Sequence, residues 1–324
     1  VGRLILNRPK ALNALTADMI RALAAGLSAW RDDPSVHAVV IEGTGERAFC
    51  AGGDIRAIRD LALAGEHRQI AAFFADEYAL NQVIADYPKP YVAFIDGLCL
   101  GGGIGVSVHG RFRVATEAAV FAMPETAIGM FPDIGASYFL PRLPGQLGMY
   151  LGLLGTRVHG ADAVAAGLAT HFVPRAKLAD LTAALAADGV AALAAFAEPP
   201  AAPGWAPHRA RIDHCFSADT VTELLRRLHD DASDWAHSTL AELHKMSPSA
   251  VLWSHKIIRL GAARTLRECL AAELALTRHV TAHHDFAEGV RAMVIDKDRQ
   301  PRWQPATLGA VDPSEIEALF GRGD

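Results

Sequence analysis

Two carboxylates eight positions apart (133 − 125), Glu125 and Asp133, are the side chains of this sequence best placed to move protons or attack a carbonyl. Glu125 follows Pro124 in Phe121-Ala122-Met123-Pro124-Glu125. Asp133 lies in Gly129-Met130-Phe131-Pro132-Asp133-Ile134-Gly135, again among apolar residues. Apolar packing raises a carboxylate pKa toward the range useful for acid–base work. Each acid taken singly also fits a helix cap, and Asp133 before Ile134-Gly135 reads as an N-cap. Two glycine clusters offer the complementary chemistry. In Cys99-Leu100-Gly101-Gly102-Gly103-Ile104-Gly105, directly after a buried strand, backbone N–H groups are left uncovered by side chains. Entering a helix, they aim its positive end at an anion, a phosphate or a developing oxyanion. Gly52-Gly53 before Asp54 supplies an opposing N–H. Tight strand–helix packing is the competing explanation for a glycine-rich turn.

Other chemistries fail on detail. No Lys-Ser or Lys-Thr follows the glycines, so there is no P-loop. Gly103-Ile104-Gly105-Val106-Ser107-Val108 ends in Val where a dinucleotide fingerprint needs Gly or Ala. Ser107 resembles a nucleophile elbow, but His109 replaces the final glycine and the periodicity puts Ser107 inside a helix. His279 and His283 have metal-ligand spacing without the Glu of an HExxH helix, and read as a solvated helix face. The four cysteines, Cys50, Cys99, Cys215 and Cys269, form no CxxC pair, which fits a reducing compartment and no zinc site.

These residues need a scaffold. Leu4-Ile5-Leu6 reads as a short strand. Thr16 then reads as an N-cap for a helix with Met19, Ile20, Leu23 and Leu27 on one face. Strands are expected over 36–41, 91–95, 111–114 and 119–122, with a helix over 66–85. Strand and helix alternate to about Val173, the pattern of an α/β layer fold. From Ala176 strand signals nearly vanish, and a Pro/Ala linker runs from Glu198 to Pro207. A later helix starts at Ser247-Pro248. The expected division is an α/β core over 1–175 and a helical C-terminal region over 176–324. The 324 residues carry 31 basic and 36 acidic side chains, net −5, with 51% hydrophobic. That balance supports a large core and argues against nucleic-acid or anionic-membrane partners. The opening Val-Gly-Arg-Leu-Ile-Leu shows no signal-peptide pattern and no initiator Met, so residues upstream are expected. The alanine-rich 178–197 stretch contains Asp180 and Asp188 and reads as one or two helices, not a membrane span.

The order of the blocks is specific. Asn7-Arg8-Pro9-Lys10-Ala11-Leu12-Asn13-Ala14-Leu15 comes first, then Ala48-Phe49-Cys50-Ala51-Gly52-Gly53-Asp54-Ile55. Lys89-Pro90, Gly97, Gly101-Gly102-Gly103 and Met123-Pro124-Glu125 follow, and near the end come Asp285-Phe286-Ala287-Glu288-Gly289 and Pro301-Arg302-Trp303. This series resembles the crotonase (enoyl-CoA hydratase/isomerase) superfamily. Its His109-Gly110-Arg111-Phe112-Arg113 and Tyr138-Phe139-Leu140-Pro141-Arg142 segments are most similar to the 3-hydroxyisobutyryl-CoA hydrolase branch. The resemblance implies a spiral of ββα units, an acyl-CoA substrate, no separate cofactor, and an oxyanion hole from the N–H groups of Gly53 and Gly102. Simple hydratases place one catalytic Glu where this chain has Gly105 and another where it has Glu125, while Asp133 stands at a position typically Gly. The resemblance therefore implies hydrolysis of a short branched hydroxyacyl-CoA in valine degradation, with Glu125 as nucleophile or general base and Asp133 assisting. Isomerase, hydratase and non-catalytic acyl-CoA-binding readings are the alternatives. Ala51, Asp54 and Gly101 are candidates for the CoA adenine and thioester end, and Lys10, Arg56 and Lys256 for its phosphates. A trimer or hexamer, and a cytoplasmic (bacterial) or mitochondrial matrix (eukaryotic) location, are further implications.

Overall fold

The computed structural model describes residues 1–200 and 202–321. Its strands are β1 (Gly2–Leu6), β2 (Val39–Gly43), β3 (Ala48–Cys50), β4 (Tyr91–Ile95), β5 (Leu98–Leu100), β6 (Phe112–Ala115), β7 (Val120–Ala122), β8 (Val158–His159) and β9 (His171–Phe172). They form two sheets. One has the order β1-β2-β4-β6-β9 and is parallel throughout; the other, β3-β5-β7-β8, is parallel except for the β7–β8 pair. One device repeats three times. In β2/β3, β4/β5 and β6/β7 the first strand joins the larger sheet, the second joins the smaller, and a helical segment follows. This is the ββα repeat that the family resemblance implies.

A parallel sheet covered on both faces needs unbroken apolar strands, and Tyr91-Val92-Ala93-Phe94-Ile95 is buried at every position. The step from β4 to β5 needs Gly97, at φ +86°, where a methyl group would sit 2.6 Å from the Arg47 carbonyl oxygen. The strand expected over 36–41 begins three residues late. Asp33 accepts from the Ser35 amide and hydroxyl, and the Val36 amide closes a turn onto the Asp33 carbonyl. Local turn chemistry overrides the β-branched run there.

The chain packs into two compact units, each made of three segments. The first comprises Val1–Asp54, Ala75–Ala122 and Arg157–Gly204 and contains both sheets. The second comprises Ile55–Phe74, Met123–Thr156 and the chain from Trp205 on. Among the described residues every element from Arg175 onward is helical. A cut at 175/176 nevertheless does not follow the units. Leu181, Leu185 and Leu193 from the first helices after it share a buried cluster with Val40, Val92, Phe94 and Val114 of the larger sheet. The run Arg175–Phe196 is long and apolar enough by composition to cross a membrane. It is broken at Gly189 (φ +67°), and its leucines face the sheet.

The second unit carries a buried imidazole with a testable consequence. His255, on the helix Pro248–Gly261, donates from Nε2 to the Ala218 carbonyl (3.1 Å), and burial pushes its pKa down to about 4 from 6.5. The folded state keeps it neutral while the unfolded chain takes up a proton below pH 6.5, so stability falls as pH drops through that window. At ~1.4 kcal/mol per unit the loss approaches about 3 kcal/mol near pH 4. Urea unfolding at pH 7 and pH 4.5 should show this slope in the wild type and a flatter one in His255→Gln. Equal slopes would exclude His255 as its source.

Candidate active site

In the first unit the N-terminal loop fixes the first glycine turn. Asn13 is fully buried at φ +57°; its side-chain amide donates to the Thr44 and Ala48 carbonyls (2.9 Å each) and its oxygen accepts from the Arg8 amide (2.9 Å). Arg8 reaches the Ala14 carbonyl (2.7 Å) and pairs with Asp54 (3.1 Å). The loop then hydrogen-bonds the turn: Ala51 N–H to the Leu12 carbonyl, Leu15 N–H to Gly52, and Asp54 N–H to Leu15. Among the described residues the Gly53 N–H has no backbone acceptor. The turn is thereby held rigid with that donor available. Replacing Asn13 by Ala leaves buried groups unpaired at a left-handed position. It should cost about 2–4 kcal/mol, read as a lower thermal midpoint.

The second glycine turn faces the first. Gly101 sits at φ +45°, ψ −119°, with its N–H on the Ala122 carbonyl (3.2 Å), and Gly102 opens the helix Gly102–Val108. Being first in the helix, the Gly102 N–H has no intrahelical acceptor, and no other backbone acceptor is seen among the described residues. A methyl group on Gly102 would lie 3.2 Å from the Gly53 nitrogen, and one on Gly52, itself at φ +102°, 3.6 Å from the Gly102 nitrogen. Two uncommitted amides thus border one small space. Gly103 serves packing instead, since a methyl there would meet the Cys50 carbonyl at 2.3 Å. Ser107 is buried and donates to the Gly103 and Ile104 carbonyls (3.0 Å each), a helix-internal serine.

One residue here escaped sequence reasoning. The Glu77 carboxylate is buried, and its Oε1 lies 2.5 Å from where a Gly102 methyl would be. Its neighbour Cys50 is pushed up to about 12, first by burial, with the Glu77 charge adding to the rise. The sequence signal was there: Ile70, Phe74, Glu77, Asn81 and Ile84 are buried at helical spacing, so an acid and an amide occupy an apolar stripe.

The second unit holds both acids. Glu125 is buried and starts the 3₁₀ turn Glu125–Ile128, with the Met130 N–H on its carbonyl. Thr126 anchors that turn: its hydroxyl donates to the Leu153 carbonyl (3.0 Å) and its own carbonyl accepts from the Ser247 N–H (3.1 Å). Ser247 in turn donates to the fully buried Asp285 (2.6 Å), which also accepts from the Gln304 N–H (2.7 Å). Asp133 is likewise buried, but it caps no helix. The short helix Ala136–Phe139 has Gly135 at its N-cap position, without a side-chain cap of its own.

The remaining candidates are less committed to one place. The Ala51 and Asp54 amides are engaged within the first unit, and the Asp54 carboxylate is paired with Arg8. Lys10 is exposed, the exposed Arg56 donates to the Val294 carbonyl (2.6 Å), and Lys256 is half-buried. His279 and His283 do not form a solvated face. Both rings stand edge-on to the buried Trp253, His279 bonds Glu315 (3.0 Å), and His283 accepts from the Asp285 N–H. The two imidazoles also lie against each other, with ring centroids 6.1 Å apart, so they pack with Trp253 as an aromatic group. No group of three or more potential metal ligands occurs among the described residues.

A family model described as enoyl-CoA hydratase/isomerase matches residues 1–320. The rat protein named "3-hydroxyisobutyryl-CoA hydrolase, mitochondrial" is 44% identical across 98% of this chain and 86% of its own. The human protein of that name is also 44% identical, with the same coverage. Among solved structures, a carnitinyl-CoA dehydratase from Mycobacterium thermoresistibile has a TM-score of 0.93 at 42% identity, covering 99% of this chain and 94% of its own. An enoyl-CoA hydratase from Rhodobacter sphaeroides 2.4.1 has a TM-score of 0.91 at 41%, covering 98% and 94%.

Proposed function

The chain belongs to the enoyl-CoA hydratase/isomerase family, and within it we propose that this protein hydrolyses 3-hydroxyisobutyryl-CoA to 3-hydroxyisobutyrate and coenzyme A. The near-full-length likeness to relatives named for that hydrolase carries the reading. Residue chemistry supports it. The thioester oxygen accepts hydrogen bonds from the Gly53 and Gly102 amides, which stabilise the charge formed on attack by roughly 3 kcal/mol per donor. Glu125 acts by one of two routes. As nucleophile it bonds to the acyl carbon, the C–S bond breaks, the thiolate leaves, and water opens the anhydride. As general base it takes a proton from water, whose oxygen bonds to the acyl carbon as the C–S bond breaks and the thiolate leaves. Asp133 orients the water or the substrate hydroxyl and helps return the proton to the departing thiolate.

The names of the two structural neighbours, a dehydratase and a hydratase, favour a second reading, water addition or elimination at a carbon–carbon double bond. Gly105 weighs against it. That position, where simple hydratases carry an acid, is a buried helical glycine here. Thiol release from 3-hydroxyisobutyryl-CoA, 3-hydroxypropionyl-CoA and crotonyl-CoA separates the two. Free thiol from the hydroxyacyl substrates is expected; conversion of crotonyl-CoA without thiol release would establish the second reading. On the coenzyme side, the turn Ala51–Asp54 and Gly101 receive the adenine and thioester ends, with Lys10 and Arg56 at the phosphates. Lys10→Ala is expected to raise KM a few-fold, through loss of one exposed charge contact, with kcat unchanged. Assembly as a trimer or hexamer, testable by sedimentation, belongs to the same reading. So does a mitochondrial matrix location for a eukaryotic form, in keeping with the relatives' names, or a cytoplasmic one for a bacterial form.

A further inference from the structure

Glu273 lies 138 residues from the turn that follows Asp133, yet it forms that turn's hydrogen-bond anchor. It sits fully buried on the helix Leu266–Val280. Its Oε2 accepts from the Gly135 amide (2.6 Å), and its Oε1 accepts from the Ser137 amide (2.9 Å) and hydroxyl (2.5 Å). Gly135 brings no capping side chain to the helix Ala136–Phe139, so Glu273 takes that role from across the unit. The backbone it holds is strained. Ile134 has φ +57° and Gly135 φ +80°, two successive left-handed residues, the first of them β-branched and buried. A β-branched residue in that region costs on the order of 1–2 kcal/mol and persists only where its surroundings over-determine it. The Ala136 amide closes the turn on the Asp133 carbonyl (2.9 Å), so the direction of Asp133 is tied to the strained pair.

We propose that Glu273 is a positioning residue for the reaction: by anchoring Gly135 and Ser137 it locks the strained Ile134-Gly135 turn and so fixes the Asp133 carboxylate for its part in hydrolysis. The inference rests on the role given above to Asp133. Burial pushes the Glu273 carboxyl up to about 8, its three hydrogen bonds opposing that rise and the Asp133 charge adding to it.

A double-mutant cycle in the thiol-release assay tests this. Glu273→Gln presents an amide N–H where Gly135 donates, and should lower kcat about 10- to 100-fold with KM within threefold. Ser137→Ala, a milder change that leaves both amide contacts, should lower kcat a few-fold in the same manner. In an Asp133→Asn background neither substitution should lower kcat further, because each acts through Asp133. If Glu273→Gln and Ser137→Ala cost the same factor in both backgrounds, their effect is general and the positioning role is overturned. If Asp133→Asn itself leaves kcat intact, the role of Asp133 fails and this inference with it. If Glu273→Gln does not fold, the Ser137→Ala cycle alone decides between these results.

Discussion

Glu125→Gln is expected to lower kcat for thiol release by about 10³-fold or more while leaving KM within threefold. The amide is nearly isosteric with the carboxylate, so the buried Thr126 anchor to Leu153 and Ser247 should hold the turn in place. What is lost is the lone chemical function: an amide neither attacks a thioester at a useful rate nor takes a proton from water. A uniform binding role would instead raise KM with kcat unchanged. Turnover in ¹⁸O-labelled water, followed by mass analysis of the peptide bearing Glu125, separates the two routes. Label in that carboxyl marks an anhydride opened at the enzyme's carbonyl, since a general base does not exchange its oxygens. Near-normal kcat in the variant would remove Glu125 from the chemistry.

Gly102→Ala should be almost as damaging, for a different reason. The variant keeps the N–H, but its methyl group would stand 3.2 Å from the Gly53 nitrogen and 2.5 Å from the Glu77 carboxylate. That is the space a carbonyl oxygen must enter to meet both donors. Removing one oxyanion donor typically costs 10²–10³-fold in kcat, and blocking the space shared by two should cost about 10³-fold. Gly103→Ala serves as contrast. Its methyl would meet the Cys50 carbonyl at 2.3 Å, so it should lower the thermal midpoint in addition to any loss of activity. If Gly102→Ala turns over at the wild-type rate, the oxygen does not sit between these amides.

What the sequence revealed follows from range. β4 was legible because five consecutive apolar residues state a strand buried on both faces, and the glycine clusters because glycine marks close backbone approach. The loop Asn7–Leu15 was legible as a motif, whereas its reason was not. Asn13 bonds to Thr44 and Ala48, more than thirty residues on, and nothing local announces those partners. Glu77 was missed although its helix was recognised, because an acid on an apolar stripe is easily read as a stray surface charge. Glu273 was beyond reach altogether, since its partners Gly135 and Ser137 are well over a hundred residues away. The reading of Asp133 as an N-cap failed for the same reason: the cap comes from Glu273. The division into units was hidden because each is assembled from three separate segments.

A crystal structure of Glu125→Gln with intact 3-hydroxyisobutyryl-CoA bound bears most directly on the proposed chemistry. The thioester oxygen should lie about 2.7–3.1 Å from both the Gly53 and Gly102 nitrogens, with the residue-125 side chain in contact with the acyl carbon or with a water aimed at it. A thioester oxygen bound away from either amide, or a residue-125 side chain out of reach of the acyl carbon, would contradict it.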